Sequence, residues 1–416
     1  MRGVLLSLLS SSQCPSDFKQ ATAFLNYGTT AIMADIRLAH LLLGLCALAA
    51  FAGFLLTRFG YMISDDNLHL FRNKAEVKVQ DSVTFNDVTL VKPAASERMT
   101  LVFVICESHF DLGIVAVKSA VAYSTTRLHL VVITDKQNEA KMRNEYSSWP
   151  DSVRKRVSCE VKLEWFPKDN YHTWRSMFRP CTTQRLFLPS MLPNEDAVIY
   201  VDTDVVFLHP VEDFWRKFYA MNEWQMAGMA PETENFTQNY YLTKGLHPFV
   251  QPFGLNAGLL MMNLTRMRAF GLESRVLELK REFEGRIPWA DQDLLNILFY
   301  RYPQGIFTFT CRWNFRGEHC QGNGLCTDGP VAVVHASRKM ILEKLEPAFV
   351  VLHQAMQKFK LGQSLVDGFI VPVREDLQKA RPTGCTKELT KQLPLLTLSA
   401  SRVDNVTGRA VAVNRT

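Results

Sequence analysis

Apolar residues fall in short unbroken runs near the start of the globular part of this chain. "MTLVFVIC" (99–106) and "RLHLVVIT" (127–134) each have the length of a buried strand, and they flank "LGIVAVKSAVAYS", which reads as a helix. Strands that are apolar at nearly every position need cover on both faces, so strand, helix, strand predicts a parallel sheet in an α/β fold. A strand near "VKLEWF", a helix through "CTTQRLFLPSML" and the strand "AVIY" (197–200) continue the series. Farther along come "QMAGMA", "AGLLMMNL", the helical "DQDLLNILFYRY", "IFTF", "VAVVH" and the helix "PAFVVLHQAMQKF".

One apolar run differs in kind. "LAHLLLGLCALAAFAGFLLT" (38–57) carries no formal charge, and at ~1.5 Å per residue it matches the ~30 Å core of a bilayer. Apolar on every face and bracketed by Arg37 and Arg58, it predicts a transmembrane helix ahead of the folded part. The expected organisation is a cytoplasmic tail (1–37), a signal anchor (38–57), a stem (58–97) and a folded domain (98–385). Residues 386–416 contain no Phe, Trp or Tyr and predict a poorly ordered tail.

Composition narrows the function classes. At 47% hydrophobic and 21% charged, the chain is globular. Its +6 net charge is scattered, with no basic tract interleaved with aromatics, so nucleic acid is not an expected partner. Asn-x-Ser/Thr sequons at Asn235, Asn263, Asn405 and Asn414 suit a lumenal domain. Seven of the nine cysteines follow the apolar run. Among them Cys311, Cys320, Cys326 and Cys385 lack the tight pairing of a zinc site, which predicts disulfides and at least one unpaired thiol.

The chemistry-bearing residues stand where apolar strands end. "VIYVDTDVVFLHPVEDFW" (198–215) places Asp202 and Asp204 one residue apart after a buried strand. Where the chain bends at a strand end, both carboxylates reach one hard divalent ion such as Mn²⁺ or Mg²⁺, with a diphosphate as a natural further ligand. Acids that merely close a strand would look the same. His335 ends "VAVVH" and supplies an imidazole for such a site. "WADQDLLN" puts Asp291, Gln292 and Asp293 at a helix start, where acids also serve as caps. "FGLNAGLL" brings Asn256 and Gly258 into a turn suited to polar contacts with a sugar.

Taken together, "RPCTTQRLFLPSML", "VIYVDTDVVFLHPVEDFW", "GLNAGLLMMNLTRMR", "WADQDLLNILF" and "CRWNFRGEHC" resemble the nucleotide-sugar transferases of glycosyltransferase family eight, and within it the glucoside xylosyltransferases of the secretory pathway. The resemblance spans roughly residues 100–385. It implies a GT-A type, Rossmann-like domain with a mixed, mainly parallel sheet, and an enzyme that retains the α configuration of its donor. By that resemblance Asp202, Asp204 and His335 hold the metal, Mn²⁺ or Mg²⁺. Arg185 contacts a UDP-sugar, and Asn256, Gly258, Asp291 and Gln292 line the sugar pocket, with Asp291 and Gln292 nearest the chemistry. UDP-xylose as donor, an O-linked glucose on EGF-like repeats as acceptor, and a Golgi or endoplasmic reticulum membrane location follow from the same likeness. The stretch after His335, "ASRKMILEKL", departs from the family pattern. Ala336 and Lys339 stand where glycines are expected and Leu345 where a lysine falls, leaving Arg338, Lys339 or Lys344 to supply a cation. A non-catalytic lumenal sugar binder and a haloacid-dehalogenase-like phosphatase are the competing readings.

Overall fold

Strand β1 (Met99–Ile105) alternates its side chains between two separate apolar cores in a computed structural model of the protein. Leu101, Phe103 and Ile105 enter one core, Val102 and Val104 the other. This two-sided burial explains the unbroken apolar run. The structure describes residues 98–168, 171–177, 181–320, 326 and 328–409. The expected tail, membrane span and stem (1–97) and the sequon at Asn414 lie outside them. Among the described residues no helix is long and apolar enough to cross a membrane.

The remaining strands are β2 (Leu128–Thr134), β3 (Val157–Leu163), β4 (Ala197–Val201), β5 (Val205–Phe207), β6 (Ala227–Pro231), β7 (Leu255–Asn263), β8 (Ile306–Thr308) and β9 (Val333–His335). Seven of them form one sheet in the order β3-β2-β1-β4-β7-β6-β8, and β5 pairs with β9 separately. β3, β2, β1 and β4 run parallel, as do β6 and β8, while β7 is antiparallel to both neighbours. The sheet is therefore mixed and mainly parallel. The strand expected near "VKLEWF" begins four residues earlier, at Val157; as an edge strand it alternates buried and exposed positions and lacks a long apolar run.

Helices α1 (Phe110–Ala122), α2 (Lys136–Ser147), α3 (Asp291–Arg301), α4 (Pro347–Lys358) and α5 (Gly384–Thr407) are the elements that matter below. α1 crosses over between β1 and β2, and α2 leads from β2 towards β3. The chain then returns to place β4 on the other side of β1. That reversal creates a crevice beyond the carboxyl ends of β1 and β4, where ligands of such sheets bind.

Two expectations need correction. Residues 181–192 are not one helix: Thr182–Phe187 is a 3₁₀ segment and Leu188–Met191 a single α turn. Residues 183–188 are all buried, so no amphipathic face exists, and tertiary contacts set the local path. The tail expected over 386–416 is instead largely the helix α5. Its Cys385, Leu389, Leu393, Leu396, Ala400 and Val403 recur every three or four residues and enter the core shared with β1. Absence of aromatics misled where periodicity was informative. Buried Asp404 near its end accepts from Ser364 Oγ and from the Leu365 and Val366 amides, tying the helix down.

Cys311–Cys326, Cys320–Cys385 and Cys106–Cys181 are disulfides, and Cys159 is the free thiol among the described residues. The second of these bonds α5 to the Cys311–Cys326 region.

Candidate active site

The crevice between β1 and β4 holds a cavity of about 220 Å³. The loop after β1 lines it with Glu107, Ser108 and His109, the end of β4 with Asp202, Thr203 and Asp204, and the start of α3 with Trp289, Asp291 and Gln292. Arg185, Thr182 and Tyr200 also line it. Loop residues after β1 were not singled out from the sequence, although the strand-end rule points to them.

Backbone register brings the three expected ligands together. Val205 of β5 pairs with His335 of β9, and the Ala336 amide donates to the Asp204 carbonyl at 2.9 Å, so Asp204 sits beside the imidazole. Asp202 is fixed from the other side: β4 pairs with β7, and its amide donates to the Gly258 carbonyl at 2.8 Å. His335 Nε2 lies 3.2 Å from Asp204 Oδ1 and 3.8 Å from Asp202 Oδ2. All three ligand atoms lie within 4.8 Å of one another. Two carboxylates and an imidazole, converging from three strand ends, fit a divalent cation such as Mn²⁺.

Arg185 supplies the positive charge beside Asp202 and Asp291. Its guanidinium is 3% exposed and stands 4.2 Å from the Tyr200 ring centroid. Nη2 donates to Asp202 Oδ1 at 2.8 Å, and Nη1 to the Ala257 carbonyl at 2.5 Å. The Tyr200 hydroxyl also donates to Asp202 Oδ1 at 2.8 Å. With Oδ1 held by two donors, Oδ2 is the oxygen turned towards His335. Arg185 Nε is 2.9 Å from Asp291 Oδ2, but its N–H is directed at the Thr182 carbonyl, 3.3 Å away. Asp291 Oδ2 is thus a buried oxygen attracted by charge but without a hydrogen bond. Burial pushes the Asp291 carboxyl up to about 7 against the pull of Arg185, with Asp202 adding repulsion.

The sequence roles of Arg185, Asn256 and Gly258 change accordingly. Arg185 lines the cavity but directs its guanidinium to protein acceptors, so it orients Asp202 in addition to any donor contact. Asn256 does not line the cavity: its Nδ2 donates to Glu232 Oε2 at 2.9 Å, and its Oδ1 accepts from the Gly258 amide at 3.0 Å. At Gly258 a Cβ would lie 2.0 Å from His335 Cε1, so the absent side chain makes room for the imidazole. Gln292 lines the cavity with its carbonyl accepting from the Ala257 amide at 3.1 Å.

Asp293 is a structural acid. Its oxygens accept from the Trp289 amide at 2.7 Å and the Tyr241 hydroxyl at 3.0 Å, holding the kink at Ala290 (φ 45°) that starts α3. Trp289, missed from sequence, stacks on Tyr240 with centroids 4.4 Å apart. No residue of 336–346 lines the cavity. Lys339 pairs with Glu343, and Arg338 with Glu232 and Glu318.

Comparison with known proteins agrees with this arrangement. The family model for glycosyl transferase family 8 matches residues 100–337, more than half the chain. The chain belongs to glycosyltransferase family 8. Glucoside xylosyltransferase 1 of Rattus norvegicus is 33% identical over 311 residues, 71% of each chain. The Mus musculus protein of the same name is 32% identical over 324 residues, 73% of this chain and 80% of that one. Among solved structures, mouse xyloside xylosyltransferase 1 in its apo form aligns over 58% of this chain and 99% of that one, at 15% identity and TM-score 0.42. The family 8 chain is a UDP-sugar-dependent glycosyltransferase of GT-A type. Its acids follow the fourth strand of the sheet, late for a phosphatase nucleophile, and the phosphatase reading is set aside.

Proposed function

We propose that this family 8 enzyme transfers xylose from UDP-xylose, with retention and in α linkage, onto an O-linked glucose of a secretory-pathway glycoprotein. The observation that carries the reading is the convergence of Asp202, Asp204 and His335 at the crevice between β1 and β4. The choice of xylose and of a glucoside acceptor rests on the names of the relatives. A divalent ion held by these three residues, Mn²⁺ or Mg²⁺, would stabilise the charge that develops on the departing diphosphate. Arg185 and Tyr200 hold Asp202 in the orientation this requires. Asp291 is 1% exposed and drawn to Arg185, which suits shaping the sugar pocket better than forming a covalent intermediate. Same-face attack by the acceptor hydroxyl is therefore the preferred route to retention. Three disulfides support a lumenal, oxidising location, and the apolar run at 38–57 supports anchoring in a Golgi or endoplasmic reticulum membrane.

The test is a panel of UDP-sugars with purified protein and Mn²⁺, measuring UDP release with and without an O-glucosylated acceptor. UDP-xylose with that acceptor should give the highest turnover, and Asp204→Asn should abolish it. Preference for another sugar would revise the donor. Binding of UDP-xylose without release of UDP would favour a sugar-binding protein, the reading that the altered loop after His335 supports.

A further inference from the structure

We propose that Glu232, Asn256 and Asn314 form a positioning relay that keeps a proton on Nδ1 of His335 and so reserves Nε2 for an ion. This deepens the metal-site reading above and rests on it. The side chains lie almost wholly out of solvent: Glu232 and Asn314 are 1% exposed, His335 3% and Asn256 4%. Each bond in the chain dictates the next. Glu232 Oε2 accepts from Asn256 Nδ2 at 2.9 Å. Asn256 Oδ1, doubly fixed because it also takes the Gly258 amide at 3.0 Å, accepts from Asn314 Nδ2 at 2.9 Å. Asn314 therefore presents its oxygen to His335 Nδ1, 2.8 Å away, which must carry the hydrogen. That leaves Nε2, the nitrogen facing Asp202 and Asp204, as the one available to an ion.

Neither amide can turn over without placing a nitrogen against a donor, or an oxygen against an acceptor, in a site almost wholly shielded from solvent. Glu232 anchors the far end and is itself held by Arg316 Nη1 at 3.4 Å and Arg338 Nη2 at 3.2 Å. Gly258 contributes its amide to the relay and its missing Cβ to the space that the imidazole occupies. The outcome is a ligand nitrogen prepared before any ion arrives.

The test reads the tautomer directly, by long-range proton–nitrogen NMR on metal-free protein with His335 assigned from a His335→Gln spectrum, and reads Mn²⁺ affinity by calorimetry. The wild-type ring should carry a proton on Nδ1. Asn314→Leu should give a tautomer mixture and weaken Mn²⁺ about 10- to 100-fold. Asn314→Asp still accepts from Nδ1 although its second oxygen faces Asn256 Oδ1, and it should keep the proton on Nδ1 and lose less Mn²⁺ affinity than Asn314→Leu. Glu232→Gln should fall between the two. A wild-type ring with no proton on Nδ1 overturns the proposal without any variant, and so does equal loss of affinity in Asn314→Asp and Asn314→Leu. If the tautomer is as stated but the wild type neither binds Mn²⁺ nor releases UDP, the relay stands and the transferase reading fails.

Discussion

Adding one methyl group at Gly258 should damage the proposed metal site at His335 more than the fold. The new Cβ would sit 2.0 Å from His335 Cε1 and 2.6 Å from both ring nitrogens, so the imidazole must retreat by about 1.4 Å to reach an ordinary 3.4 Å contact. It has little room, because Nδ1 is held by Asn314 at 2.8 Å and the ring is 3% exposed. Overpacking of this kind costs about 1–3 kcal/mol of stability. A ligand displaced by more than 1 Å costs on the order of 100-fold in rate. For Gly258→Ala the expected outcome is a melting temperature lowered by a few degrees, Mn²⁺ affinity reduced at least tenfold by calorimetry, and UDP release reduced about 100-fold. Were Gly258 instead a backbone contact to the sugar, the variant would raise the donor KM and leave Mn²⁺ affinity intact. That result would refute the steric argument.

Three further outcomes follow from the described contacts. Arg185→Met removes the cation between Asp202 and Asp291 and should cost about 3–5 kcal/mol in urea denaturation, with Arg185→Lys intermediate; an unchanged midpoint would show that the acids do not depend on it. Cys385→Ser opens the link to Cys320 across a separation of 65 residues, which should destabilise by about 4 kcal/mol and loosen α5 first, read by hydrogen exchange in 384–407. Burial of His353 on α4 lowers its pKa to about 4, although Asp111 opposes this. A base with a depressed folded pKa contributes stability that is full above the unfolded value of about 6.5 and is lost as pH falls towards 4, on the order of 3 kcal/mol. His353→Leu should flatten the stability profile between pH 6.5 and 4, and an unchanged slope would assign the acid sensitivity elsewhere.

Sequence by itself determined the buried strands and the candidate metal ligands. The runs at 99–106 and 127–134 are apolar because β1 and β2 are covered on both faces, a requirement written locally in every residue. Asp202, Asp204 and His335 were visible as polar residues where apolar runs stop, while their convergence depends on the pairing of β5 with β9 and of β4 with β7. Partnership was decided only by the tertiary structure. Glu232 and Asn314 were not singled out, since one of two acids in "APETENF" and a single amide within "CRWNFRGEHC" have no period or spacing to mark them individually. They acquire a role because β6, β7 and the loop after β8 bring residues 82 positions apart into one hydrogen-bonded chain. Asn256 and Gly258 were visible as a motif, yet their task depends on what lies behind the strand, which no linear pattern encodes. The helix at 384–407 is the opposite case. Its apolar period was present in the chain all along, but only docking against the β1 core, through Asp404 and the Cys320–Cys385 bond, separates a packed amphipathic helix from a solvated one.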